Sequence, residues 1–104
     1  MNKRFVLISD SPDKAQQDRI TVWLQANHFG FWHHFPSAWL IVAPIPTSAH
    51  PDTAEWSSAK LRDALVPLAP ALHFIVLEVQ GSLDWAGFTE ASRADWFHLH
   101  WNET

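Results

Sequence analysis

The chain has 104 residues, 47% hydrophobic and 17% charged, with no cysteine, seven Trp, seven Phe, seven His and three Gly. That length and composition fit one domain, 1–104, and exclude a disordered chain, a disulfide framework, a thiolate zinc site and a cysteine nucleophile. Seven Lys and Arg against eleven Asp and Glu give a net charge of −4, which disfavours nucleic acid as a partner because phosphate contacts call for a basic stripe.

Lys3–Ser9 (KRFVLIS) is rich in β-formers and predicts a strand. Asp10-Ser11-Pro12-Asp13 breaks it. Ser11 is placed to cap a helix over Pro12–Asn27, with Pro12 at the first helical position, where its missing N–H costs nothing. Ile20, Trp23, Leu24 and Asn27 form the stripe of that helix, and Asn27-His28 or Gly30 stops it. Phe29–Phe35 and Ala38–Ala43 read as two strands of a hairpin around Pro36-Ser37. A Pro-rich loop follows over Pro44–Pro51. Asp52 and Glu55 make a capping-box pattern for a second helix with Leu61, Ala64, Leu65 and Leu68 on its stripe, and Pro67 ends it at about Val66. Leu72–Val79 predicts the fourth strand. Gly81–Gly87 reads as a loop or a short fifth strand, and Thr89 as the cap of a last short helix carrying Trp96, Phe97 and Trp101.

The order is β-α-β-β-α-β with a Trp-rich C-terminal tail, the split-βαβ arrangement of a ferredoxin-like α+β fold. Right-handed crossovers put both helices on one face of the sheet. The strands nevertheless carry apolar residues at both parities: Phe5 and Leu7 against Val6 and Ile8, Trp39 and Ile41 against Leu40 and Val42. A sheet with one wet face alternates instead. A homodimer through the second sheet face is the leading expectation, with the tail as the other candidate cover. No apolar run is long enough to cross a bilayer, and no signal-peptide pattern opens the chain, so the default expectation is a cytoplasmic protein without membrane contact.

Ser9-Asp10, Trp32-His33, Ser37-Ala38-Trp39-Leu40-Ile41 and Trp85-Ala86-Gly87-Phe88 occur in that order along almost the whole chain. This resembles the small bacterial and phage proteins called SinR-like, whose pattern is a first strand ending in Tyr-Asp or Ser-Asp, a Trp-His before a Ser-x-Trp-Leu-Ile strand, and a late Trp-x-Gly-Phe. More remotely it is similar to the smaller CRISPR spacer-acquisition protein and to VapD-type toxins. The resemblance implies a ferredoxin-like homodimer with links to phage defence or toxin–antitoxin systems. In some of those proteins an Asp at the end of the first strand serves a metal-dependent nuclease, and here that position is Asp10.

Asp10 is therefore the one candidate catalytic and metal-binding residue. As a Mg²⁺ ligand it would act with a second copy across a dimer axis, since Mg²⁺ takes carboxylate oxygens and water. Its other reading is an Asx turn joining strand to helix. No cofactor is expected apart from Mg²⁺ in the nuclease reading. His33 and His34 point to opposite faces of a strand and cannot share an ion. His98 and His100 can do so only on a strand. Trp23 and Trp39 read as core, while Trp32, Trp85, Trp96 and Trp101 are candidates for a groove. There is no Gly-rich phosphate loop and no G-x-S-x-G elbow. The sequence favours a binding or assembly module, with the Asp10 nuclease as the alternative, and leaves enzymatic activity open.

Overall fold

The computed structural model describes residues 3–49, 53, 55–80, 86 and 89–101. Strand β1 (Lys3–Ser9) leads into helix α1 (Lys14–Ala26), followed by β2 (Gly30–Phe35), β3 (Ala38–Ala43), α2 (Ser58–Leu65), β4 (Phe74–Val79) and α3 (Ala91–Trp96). A 3₁₀ turn (Val66–Leu68) extends α2, and a π-helical turn (Phe97–Trp101) extends α3. The four strands form one sheet in the order β2-β3-β1-β4, every neighbouring pair antiparallel. It follows that β1 runs parallel to β2 with β3 between them, and β3 parallel to β4 with β1 between them. Among the described residues no helix is long and apolar enough to cross a membrane.

Capping chemistry sets the helix starts, and it moves two of the expected boundaries. Asp13, not Ser11, caps α1. Its carboxylate accepts the Gln16 N–H at 2.7 Å, and the Gln16 side chain accepts the Asp13 N–H at 2.9 Å, a reciprocal capping box. Pro12 is buried just before the cap. Ser57 caps α2 through its hydroxyl, which accepts from the Lys60 N–H at 3.1 Å. Glu55 lies outside that helix, and Asp52 lies outside the described residues. Glu90, whose side chain makes no capping hydrogen bond, sits at the cap expected of Thr89.

At the C-terminus of α1, His28 adopts φ 64°. Its N–H bonds to Gln25 O at 3.1 Å, and the Phe29 N–H reaches back to Leu24 O at 2.9 Å. Two such bonds around a left-handed residue close the helix as a Schellman motif.

The first sheet face carries the main core. Phe5, Leu7, Trp39 and Ile41 are buried beneath Ile20 and Leu24 of α1 and Leu61 and Leu65 of α2, so both helices lie on this one face. Trp23, Phe29 and Trp56 cluster at its margin, with Trp56 T-shaped against each of the other two and Trp23 tilted against Phe29, ring centroids 5.0–5.5 Å apart. The second face holds a smaller core. Trp32, Phe97 and Trp101 are buried there against Val6, Leu40, Val42 and Val79. The tail thus covers part of the second face from within the chain. A stack of two sheets through that whole face, the leading expectation, meets the tail first. What remains open is the strip formed by Ile8, Ile75 and Leu77, which are 48%, 62% and 51% exposed.

Candidate functional site

Asp10 lies at the end of β1, where β1, the start of β4 and the turn between β2 and β3 meet. The Ser9 N–H donates to Ser37 O at 2.8 Å, and the Asp10 N–H donates to His73 O at 3.0 Å. The Asp10 carboxylate answers this second bond. Its Oδ1 accepts the His73 N–H at 3.3 Å, and its Oδ2 lies 3.3 Å from His73 Nδ1. Asp10 therefore clasps His73, the residue just before β4, backbone and ring together. Both side chains are exposed, so the clasp is a weak one.

That environment decides what Asp10 can do within one chain. A hard cation such as Mg²⁺ is held by one or two carboxylates with water completing its shell, and each carboxylate must turn an oxygen toward it. Here one carboxylate has both oxygens turned to His73 N–H and Nδ1, and its neighbouring donor is an imidazole. Among the described residues no three His, Asp or Glu side chains gather to hold a metal ion. Within one chain the carboxylate is engaged by His73 and not by an Asx turn, which would need an N–H at position 12, where Pro12 has none.

The other candidates separate as the strand geometry requires. His33 stacks flat on Trp39, centroids 3.8 Å apart and planes at 1°. Its Nδ1 donates to Ala38 O at 2.9 Å, and its Nε2 lies 3.0 Å from the Gln17 side-chain oxygen. The ring thereby rivets α1 to the β2–β3 hairpin. Beside it a cleft of about 320 Å³ opens between Lys14, Gln17, His34 and Phe35. His34 is separate from this rivet and meets Trp32 at 4.9 Å. Partial burial, then the charges of Arg93 and His33, push the His34 imidazole below its ordinary value, and Glu90 opposes them. His98 and His100 sit on the π-helical turn and are exposed.

Of the Trp candidates for a groove, Trp32 and Trp101 are buried and Trp96 is half-buried beside them, so they pack the second core. Trp85 lies outside the described residues, as does most of Gly81–Gly87. Trp39 is core as expected, and its indole N–H is buried without a hydrogen-bond partner.

Two residues take roles the sequence did not single out. His73 is Asp10's partner. Arg4 is 5% exposed on the second face, and its Nε donates to Trp101 O at 2.6 Å. A cation at the last carbonyls of a helix satisfies acceptors that have no partner within it. The signal for Arg4 was its parity, since it shares a face with Val6 and Ile8. The tail is tied down at its other end by Trp32 Nε1, which donates to Arg93 O at 2.9 Å.

No family model matches the chain, and searches of curated proteins and of solved structures also returned no match.

Proposed function

We propose that the chain is a small ferredoxin-like binding and assembly module that pairs with a second copy through the part of its second sheet face left open by the tail. The ferredoxin-like assignment is supported by the two interleaved split-βαβ units and by both helices lying on one face. The kinship with SinR-like proteins, and through it a place in phage defence or toxin–antitoxin systems, belongs to the same proposal and rests on the sequence motifs alone.

The observation that carries the reading is the strip of Ile8, Ile75 and Leu77. Ile8 lies directly across from Ile75 in the β1–β4 register, and Leu77 is the next residue on that face of β4. All three are about half exposed or more, and together they form a contiguous apolar surface on regular strands. Burial of such a surface is favourable at about 25 cal/mol per Å². Isolated apolar side chains on a surface are ordinary, whereas a contiguous set marks a contact.

Light scattering on the full chain at micromolar concentration tests the reading. The expected result is a mass at least twice the 11.9 kDa of one chain; a mass of one chain overturns it. Incubation with labelled RNA and DNA tests the function from the other side. Cleavage that needs Mg²⁺, stops in EDTA and is lost in Asp10→Asn would replace the module by a nuclease built from Asp10 of two copies.

A further inference from the structure

The two edges of the sheet differ in how they are protected. At the β2 edge the register slips between Trp32 and Phe35, and Pro36 follows immediately. The tail also ties to this edge through Trp32. Bulges, prolines and covering segments are what keep an edge strand from pairing with another chain. The β4 edge has none of these among the described residues. Its pairing with β1 is regular over its full length, from Ser9 opposite Phe74 to Arg4 opposite Val79. FIVLEV carries neither Lys nor Pro, and its one charge is Glu78. A groove of about 390 Å³ runs along this edge, lined by Ser58, Ala59 and Arg62 of α2 and by Phe74, Ile75 and Val76 of β4.

We infer that β4 is a second self-association surface, whose open edge pairs antiparallel with β4 of another copy and sets Arg62 against the partner's Glu78. Residues directly opposite each other in an antiparallel pair point to the same sheet face. A two-fold axis perpendicular to the sheet through Val76 keeps the helices of both copies on one side. It places Val76 against the partner's Val76, Ile75 against the partner's Leu77, and Phe74 against the partner's Glu78. Phe74 and Arg62 line the same groove, so the partner's Glu78 enters beside the guanidinium. Symmetry makes the same pair twice.

Arg62 is available for this exchange. Its present ion pair, with the adjacent Asp63 at 2.9 Å, is exposed on both sides, and such pairs contribute little. Edge pairing uses the backbone rim of β4, whereas the proposed module pairs through a sheet face, so the two contacts coexist. This inference rests on the self-assembly reading above but uses a separate surface, and the two fail separately.

The test is sedimentation equilibrium on the full chain and on Arg62→Glu, Glu78→Arg, the double reversal and Ile8→Lys, each confirmed folded by circular dichroism. Each single reversal is expected to weaken the Arg62-dependent association about tenfold, as close charge pairs across interfaces do, and the double reversal to restore it. Arg62→Gln repeats the loss in milder form if a reversal does not fold. Unchanged association in the single reversals, or a double reversal no better than either single, overturns the inference. Loss of all association in Ile8→Lys, with the reversals silent, leaves the sheet-face reading standing and the edge inference refuted. Ile8→Lys unchanged, with the reversals weakened and rescued, refutes the sheet face and keeps the edge.

Discussion

At the scale of single residues, the one candidate catalytic side chain, Asp10, is engaged within its own chain by His73. Asp10 sits where the strand-to-helix joint places it, and its partner His73 is 63 residues away. No local pattern announces such a pairing. Asp10→Asn keeps an oxygen for the His73 N–H and is expected to cost less than about 1 kcal/mol in urea unfolding. Asp10→Ala removes both acceptors and should cost more than the Asn variant; equal costs would show that the clasp contributes nothing. His34 gives a prediction with a sign. Its folded value lies below its ordinary 6.5, first through burial and then through Arg93 and His33. Below pH 6.5 the folded chain therefore binds fewer protons at this ring than the unfolded chain does. Its contribution to stability is complete above 6.5 and declines as pH falls through the folded value. The effect on stability is small, because the residue remains open to solvent despite that partial burial. An NMR titration of His34 should give a midpoint under 6.5 that moves back toward it in Arg93→Gln.

At the scale of elements, what could be read in advance was whatever repeats locally. The four strands, the Ile20–Leu24 stripe of α1 and the Leu61–Leu65 stripe of α2 follow from periodicity, which needs only near neighbours in the chain. Helix starts were less legible, because several residues in a row can cap. Ser11 and Asp13 both qualify before α1, and only the reciprocal bond from Gln16 selects Asp13. Arg4 was not legible as a helix-end ligand, since Trp101 lies 97 residues on. Arg4→Met removes the donor to a buried carbonyl and should loosen the tail at a cost of about 1–3 kcal/mol. Hydrogen exchange rising in Ala91–Trp101, with α1 unaffected, would show this. His28 holds a left-handed conformation that costs an L-residue roughly 1–2 kcal/mol, so His28→Gly is expected to raise the unfolding midpoint or leave it unchanged, and a lower midpoint contradicts the Schellman reading. Trp39 sits at the centre of the main core with no exposed surface, and Trp39→Ala should cost about 3–5 kcal/mol.

At the scale of the whole molecule, the apolar second face is the feature from which function follows. Apolar residues at both parities of β1 and β3, where a half-wet sheet alternates, made that face legible in the sequence. The extent of the tail's cover was not, because it depends on aromatic packing between Trp32 and Phe97 across the fold. The tail buries one part of the face and leaves a strip open, and the proposed assembly would cover that strip. The most direct test is an isotope-filtered NOE experiment on a mixture of labelled and unlabelled chains, read at the methyl groups of Ile8, Ile75 and Leu77. Contacts among these methyls between different copies, disappearing in Ile8→Lys, are the expected result. Methyl contacts confined to one copy, with chemical shifts independent of concentration, would contradict assembly through this face.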